Sequence, residues 1–119
     1  MKRVLLVDDA VFIRGNLKLI LEKNGYEVVG QAEDGLQAIS MYKSLEPDLV
    51  TMDVTMPNMD GLQALAEIRN LDKSAKIVMI TAMGKEDIVR QAIIGGATNF
   101  IVKPFNEEKV LAVLQKIKW

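Results

Sequence analysis

The chain has 119 residues, of which 50% are hydrophobic and 26% are charged, and its formal net charge is -1. This composition is typical of one globular domain with a substantial core and excludes a disordered chain. It contains no cysteine and no histidine, which excludes disulfides, thiol catalysis and a histidine general base. Any bound metal must therefore have oxygen ligands, which favours Mg²⁺, Mn²⁺ or Ca²⁺.

Nucleic acid and membrane are not expected partners. The chain has no basic stripe with interleaved aromatic residues, which a nucleic-acid-binding surface usually carries. The N-terminal MKRVLLV is only faintly similar to a signal peptide, because Asp8 and Asp9 interrupt its apolar run. No apolar segment approaches the roughly 18 residues that a membrane span needs. We expect a cytoplasmic protein.

Five short apolar runs predict five strands. Four of the runs are almost continuously apolar, which is typical of parallel strands covered on both faces. In chain order the runs are RVLLV (3–7), YEVVGQA (26–32), DLVTM (48–52), KIVMI (76–80) and NFIV (99–102).

The segments between the strands have helical periodicity. We predict helices over residues 10–24, 34–46, 84–95 and 106–118, with a further helix between the third and fourth strands. The predicted buried faces are Ile13, Leu17, Ile20 and Leu21; Ala38, Ile39, Tyr42 and Leu45; Ile88, Val89, Ala92 and Ile93; and Val110, Val113, Leu114 and Ile117. Three apolar residues fall off these faces and are expected at the surface, namely Phe12, Leu19 and Ile94.

Helix ends are marked by the residues that usually stop or start a helix. Asn24-Gly25 and Gly95-Gly96 are C-terminal stops, and Asn106 is an N-cap. The alternation of strands and helices predicts an α/β domain with helices on both faces of a parallel sheet. With right-handed crossovers, we expect the flavodoxin-like (βα)5 fold with strand order 2-1-3-4-5.

Chemically active side chains follow the predicted strands. In this architecture, ligands bind at the carboxyl ends of the strands, at the switch point between strands 1 and 3. We expect five residues to converge there: Asp8 and Asp9 after strand 1, Asp53 after strand 3, Thr81 after strand 4 and Lys103 after strand 5. Glu33 and Asp34 follow strand 2 and are expected to lie away from this point.

Each of these residues also has a simpler interpretation. Asp8 or Asp9 could cap the helix that begins near Ala10, Thr81 could end a strand, and Lys103 could be solvated. Together, however, clustered carboxylates are costly, because two charges about 4 Å apart repel by about 4 kcal/mol at an effective dielectric of 20. A hard dication such as Mg²⁺, held by Asp8 or Asp9 together with Asp53, would relieve that repulsion.

A cation at this point would make phosphoryl transfer feasible. A carboxylate oxygen of Asp53 could attack a phosphoryl group and form an aspartyl phosphate. Lys103 could neutralise phosphoryl oxygens, and Thr81 could donate a hydrogen bond to one of them.

Four segments resemble the receiver domains of two-component response regulators, particularly the stand-alone chemotaxis members of that family. The segments are LLVDDA (5–10), DLVTMDVTMPNMDG (48–61), MITAMG (79–84) and NFIVKPF (99–105). The resemblance covers essentially the whole chain and implies a single receiver domain over residues 1–119. Each motif alone is weak, but the combination at these spacings is specific.

The resemblance implies a role for each matching residue. Asp53 would be the phosphoacceptor, and Asp8, Asp9, Asp53 and the backbone carbonyl of Thr55 would bind Mg²⁺ or Mn²⁺. Thr81 and Lys103 would contact the phosphoryl group, and Phe100 would be the switch aromatic that follows Thr81. The Lys103–Pro104 bond is expected to be cis. Thr55 and Met83 occupy positions that tune dephosphorylation in this family, and neither is acidic.

The implied partners are those of a phosphorylation-activated regulator. A histidine kinase would donate the phosphoryl group, and the output protein would be the flagellar motor switch, with a phosphatase as a further partner. The protein would be a monomer and not an enzyme, although it would assist its own phosphorylation and dephosphorylation. A phosphorelay intermediate and the isolated receiver of a larger regulator are alternatives.

Two other classes of protein would share parts of this pattern. A flavodoxin-type FMN protein has the same fold, but VDDAVF (7–12) would repel a phosphate unless a metal intervened. A Mg²⁺-dependent phosphatase of the haloacid-dehalogenase type also uses an aspartyl nucleophile, but places it after strand 1 in Asp-x-Asp. This chain has Asp-Asp there, so that phosphatase is a distant alternative.

Overall fold

The computed structural model describes residues 1–119, in which strands and helices alternate along the chain. The elements are β1 (Lys2–Val7), α1 (Val11–Lys23), β2 (Tyr26–Ala32), α2 (Gly35–Leu45), β3 (Leu49–Asp53), α3 (Gly61–Leu71), β4 (Ile77–Ala82), α4 (Glu86–Ile94), β5 (Asn99–Lys103) and α5 (Glu107–Leu114). The predicted alternation is confirmed, including the helix between the third and fourth strands.

The five strands form one parallel sheet in the order β2-β1-β3-β4-β5. This is the predicted flavodoxin-like order. β1 and β3 are neighbours at the switch point, where Val7 lies opposite Met52. The next strand pair brings Asp53 opposite Ile80. The carboxyl ends of β1, β3 and β4 therefore meet at one edge of the sheet.

Alternate residues of the strands enter two separate cores. The core on one face packs against α2, α3 and α4 and includes Leu5, Val50, Met52, Ile77 and Met79. The core on the other face packs against α1 and α5 and includes Val4, Leu6, Leu49, Val78 and Ile80. Both faces of the sheet are covered, so each of these side chains is removed from water. Each burial stabilises the fold by about 1.5–3 kcal/mol. This burial explains the continuous apolar runs.

The predicted caps at Asn24-Gly25, Gly95-Gly96 and Asn106 are confirmed, but the last helix ends at Leu114 and not at residue 118. Asn24 is the C-cap of α1, and Gly25 and Gly96 have φ values of 87° and 100°. Only glycine adopts such left-handed angles without strain. Asn106 caps α5 by accepting a hydrogen bond from the Lys109 backbone N–H.

The interpretation of Asp8 or Asp9 as the cap of α1 is wrong. Ala10 occupies the N-cap position, and no side chain caps this helix. Instead, Asp8 Oδ1 accepts a hydrogen bond from the Ala10 backbone N–H at 2.9 Å, which closes a short turn. The second carboxylate oxygen of Asp8 accepts a hydrogen bond from Lys103 Nζ at 3.3 Å.

The predicted helix faces hold with one exception. Phe12, Leu19 and Ile94 are exposed, as expected. Ile93, however, was predicted to be buried and is 53% exposed. The short helix α4 buries only Ala92 fully, and Ile93 lies about 100° further round the helix, beyond this narrow contact. No helix has both the length and the apolar character to cross a membrane.

Candidate functional site

Three carboxylates converge at the carboxyl edge of the sheet. Asp8 and Asp9 follow β1 directly, and Asp53 is the last residue of β3. One carboxylate oxygen from each lies within 4.8 Å of the others. Asp8 and Asp53 are only 1% and 7% exposed, whereas Asp9 is open to solvent. A cluster of this kind offers the oxygen ligands that hard divalent cations prefer.

Lys103 supplies the positive charge closest to these carboxylates. It ends β5, and its Nζ lies 3.1 Å from Asp53 Oδ1 and 3.3 Å from Asp8 Oδ2. The following Lys103–Pro104 peptide bond is cis, as expected. One ammonium group therefore serves two buried carboxylates, and Asp9 adds a third negative charge. The cluster keeps an excess of negative charge, which fits a bound dication.

The pKa values of the two central groups reflect this imbalance. Burial and then the charge of Asp8 raise the pKa of Asp53, although Lys103 lowers it in part. Burial would by itself lower the pKa of Lys103, but the hydrogen bond and charge of Asp53 outweigh it and raise that pKa. Lys103 is thus held charged, while Asp53 is ionised at a free-energy cost.

A cleft opens beside Asp53 with a volume of about 240 Å³. A water molecule occupies about 30 Å³ in the liquid, so the cleft has room for a small anion. Thr81, which is buried near the end of β4, lines this cleft together with the exposed Thr55. The structure thus places Asp53, Thr81, Thr55 and Lys103 around one space.

Phe100 does not line this cleft. It lies on β5, half-buried against the core that packs under α4, and borders an adjacent apolar groove of about 450 Å³. Ala82 and Lys85 line both the cleft and the groove. The loop between β4 and α4 therefore connects the surroundings of Asp53 with those of Phe100.

Sequence reasoning missed two cations near the carboxylates. Arg14 is buried on α1, and its Nη1 donates a hydrogen bond to the Asp8 backbone carbonyl at 2.6 Å, which fixes the turn after β1. Its spacing with Leu17 and Leu21 places it on the apolar face of α1, a signal that could have identified it. Lys85 lines the cleft from the N-terminus of α4. The only sequence signal that places Lys85 near the cleft is its position four residues after Thr81.

Gly61 also belongs to the site, because it packs directly on the backbone of Asp53. A Cβ at this position would lie 2.1 Å from the Asp53 carbonyl oxygen. The Gly61 N–H donates a hydrogen bond to the Val54 carbonyl at 2.7 Å. Only glycine permits this approach, which closes the loop after β3 and holds Asp53 at the edge of the sheet.

The comparison with known families agrees with this site. The sequence model of the response regulator receiver domain matches residues 4–115. The chain therefore belongs to the receiver-domain family of two-component response regulators.

Within this family, the chain is similar over nearly its whole length to CheY proteins. It is 54% identical over 114 residues to the chemotaxis protein CheY of Bacillus subtilis, which covers 96% of this chain and 95% of that protein. It is 52% identical over 116 residues to the chemotaxis protein CheY of Thermotoga maritima, which covers 98% of this chain and 97% of that protein. The crystal structure of a CheX–CheY–BeF3–Mg²⁺ complex from Borrelia burgdorferi matches with a TM-score of 0.94 and 41% identity, covering 98% of this chain and 90% of that one.

Proposed function

We propose that the protein is a phosphorylation-activated response regulator that accepts a phosphoryl group on Asp53. One observation carries this proposal: the carboxylates of Asp8, Asp9 and Asp53 lie within 4.8 Å of one another beside an open cleft, with Lys103 bridging two of them. A purely structural role would leave this negative charge uncompensated.

The donor set fits Mg²⁺, or Mn²⁺ in its place. Asp8, Asp9 and Asp53 would hold the cation together with the backbone carbonyl of Thr55, since all four are hard oxygen donors. When bound, the cation neutralises phosphoryl oxygens and orients the donor. Its two positive charges would also offset the carboxylates that Lys103 alone leaves unbalanced.

The residues of the chain carry the transfer itself. A carboxylate oxygen of Asp53 attacks the phosphorus atom, and a new P–O bond forms as the bond from phosphorus to the donor breaks. The donor group leaves with that electron pair, as imidazole from phosphohistidine or acetate from acetyl phosphate. Lys103 neutralises a phosphoryl oxygen, and Thr81 donates a hydrogen bond to another.

Phosphorylation changes the charge on Asp53 from -1 to about -2, by analogy with hydroxyl phosphorylation. We propose that Thr81 and the loop after β4 move toward the new oxygens, and that Phe100 packs inward behind them. The face built from α4, β5 and α5 would then change shape. Ala82 and Lys85 line both the cleft and the apolar groove, which supports this coupling between Asp53 and Phe100.

The similarity to CheY supports particular partners. The proposed donor is a CheA-like histidine kinase, and the proposed output partner is the flagellar motor switch, with a phosphatase acting on the phosphorylated form. The proposed setting is the cytoplasm, with the protein as a monomer. A phosphorelay intermediate, or the receiver of a larger regulator, would use the same chemistry with other partners.

The test is incubation with acetyl phosphate and Mg²⁺, followed by intact-mass measurement after a fast quench. We expect one added phosphoryl group, lost with EDTA and lost in Asp53→Ala. Asp87→Asn is the matched control, because Asp87 is an exposed carboxylate on α4 outside the cluster. Equal phosphorylation of Asp53→Ala would overturn the proposal. Sustained turnover of small phosphate esters would instead favour the phosphatase alternative.

A further inference from the structure

The loop between β3 and α3, residues 54–60, is held at two places. At its base, the Gly61 N–H donates a hydrogen bond to the Val54 carbonyl at 2.7 Å. At its far end, Asn58 Nδ2 donates to Asp34 Oδ2 at 2.7 Å, and the Gly35 N–H donates to the Met59 carbonyl at 2.9 Å. The second attachment joins the loop to the N-terminus of α2.

Asp34 is a rigid anchor for this attachment. It is 6% exposed and is the N-cap of α2, where its Oδ1 accepts a hydrogen bond from the Gln37 backbone N–H at 2.8 Å. The same carboxylate therefore both caps the helix and accepts the hydrogen bond from the Asn58 side chain. Hydrogen bonds from Gln37 and Asn58 lower the pKa of Asp34, so the anchor stays ionised at neutral pH.

The contact between the loop and α2 leaves no room for adjustment. A Cβ on Gly35 would lie 2.7 Å from the Met59 carbonyl oxygen. Asn58 has a φ of 66°, in the left-handed region that asparagine tolerates better than most residues. The backbone conformation and the side-chain hydrogen bond of Asn58 thus act together to fix the end of the loop.

Thr55 lies between the two attachments, at the base of the loop and beside the carboxylates. Its backbone carbonyl lies two residues beyond the end of β3, so this proposed cation ligand belongs to the loop and not to a strand. If the far end of the loop were free, cation binding would have to order this segment and would be weakened by the conformational entropy that its backbone loses. A loop already fixed at Asn58 avoids most of that cost.

We propose that Asp34 and Asn58 are positioning residues that hold the Thr55 carbonyl toward Asp8, Asp9 and Asp53 and thereby set the affinity for the cation. This inference rests on the proposed function, because it needs the cation site to exist. Neither residue is one of the proposed cation ligands. Partners that orient metal ligands in this way commonly change metal affinity about 10–100-fold when they are mutated.

Two variants isolate the hydrogen bond. Asn58→Gly removes the amide but retains a residue that accepts the positive φ. The double variant Asp34→Asn with Asn58→Asp reverses the polarity of the pair at unchanged net charge. The amide nitrogen introduced at position 34 can donate to the carboxylate introduced at position 58, while its oxygen still accepts from Gln37.

The measurement is the dissociation constant for Mg²⁺ alone, from amide chemical shifts or calorimetry. We expect Asn58→Gly to weaken binding about 10-fold and the double variant to recover most of the loss. Unfolding in EDTA checks that each variant is folded. In phosphorylation assays, the half-saturating Mg²⁺ concentration should rise for Asn58→Gly, with the rate at saturating Mg²⁺ close to that of the parent.

The outcomes separate the two proposals. If the parent binds no Mg²⁺, the proposed function fails. If the parent binds Mg²⁺ and Asn58→Gly binds it equally well, only the positioning role is refuted. If Asn58→Gly does not fold, the double variant decides between the outcomes. A double variant that binds Mg²⁺ as tightly as the parent supports the positioning role of the pair. A folded double variant that binds Mg²⁺ weakly contradicts it.

Discussion

Replacing Asp53 with asparagine should stabilise the metal-free protein. Two charges 4.8 Å apart, the upper limit of the spacing in the cluster, repel by about 3.5 kcal/mol at an effective dielectric of 20. Asp53 is repelled in this way by both Asp8 and Asp9. Lys103, at 3.1 Å, attracts Asp53 by about 5 kcal/mol at the same dielectric. Because Asp9 is exposed and its repulsion is screened, these Coulomb terms nearly cancel, and the burial of the Asp53 carboxylate decides the sign. We therefore expect a net gain of about 1 kcal/mol for Asp53→Asn.

The effect should depend on pH in a defined direction. The folded-state pKa of Asp53 is raised above its ordinary value of 3.8, so its ionised form destabilises the fold. This penalty is fully present above the raised folded pKa and disappears as the pH falls below 3.8. The stability difference between Asp53→Asn and the parent should therefore shrink toward zero in acid.

The assay is thermal unfolding in EDTA and in saturating Mg²⁺. In EDTA, the variant should melt about 4–8 °C above the parent. Mg²⁺ at 100 times its dissociation constant should stabilise the parent by about 2.7 kcal/mol and the variant much less, which reverses the order. Glu67→Gln is the matched control, because Glu67 is exposed and forms no ion pair. An unchanged or less stable Asp53→Asn variant in EDTA would refute the electrostatic reasoning.

Three further substitutions test the packing around the site and the sheet. Gly61→Ala should lower the free energy of unfolding by about 3 kcal/mol or more, because its Cβ would overlap the Asp53 carbonyl; a urea denaturation midpoint equal to the parent's would contradict this. Thr51→Val should raise that free energy by about 1 kcal/mol, because the Thr51 hydroxyl is buried without a partner, and a loss of stability in urea would count against it. Tyr42→Phe should cost about 1 kcal/mol at pH 7 by removing the 2.8 Å hydrogen bond to Asp72. Since the Tyr42 and Ser74 hydrogen bonds lower the pKa of Asp72, this contribution should be lost as the pH falls through that lowered pKa; a Tyr42→Phe difference that persists in acid would be inconsistent with it.

The sheet could be predicted because its pattern is local. Strands covered on both faces need continuous apolar residues, and these runs are visible without any tertiary information. The convergence of Asp8, Asp53 and Lys103 followed from topology, since the ends of parallel strands share one edge. Their distances did not follow, because those depend on how each strand ends and turns.

Contacts made between distant elements were not visible in the sequence. Asp34 follows β2, away from the switch point, and its role emerges only because the loop after β3 folds back onto α2. Arg14 is a charged residue on a buried helix face, and its partner is a backbone carbonyl that no pattern identifies. Ile93 was misplaced because helical periodicity gives the direction of a face but not how wide a contact the sheet makes with it.

Locating the phosphoryl group on the chain tests the proposed function most directly. The protein is phosphorylated with acetyl phosphate and Mg²⁺, reduced with borohydride, digested and sequenced by mass spectrometry. Hydride attacks the acyl carbon, phosphate leaves, and further reduction converts the acceptor aspartate into homoserine. We expect homoserine at position 53 and unmodified aspartate at Asp8 and Asp9. Homoserine at either of those positions, or at none, would contradict the proposed function.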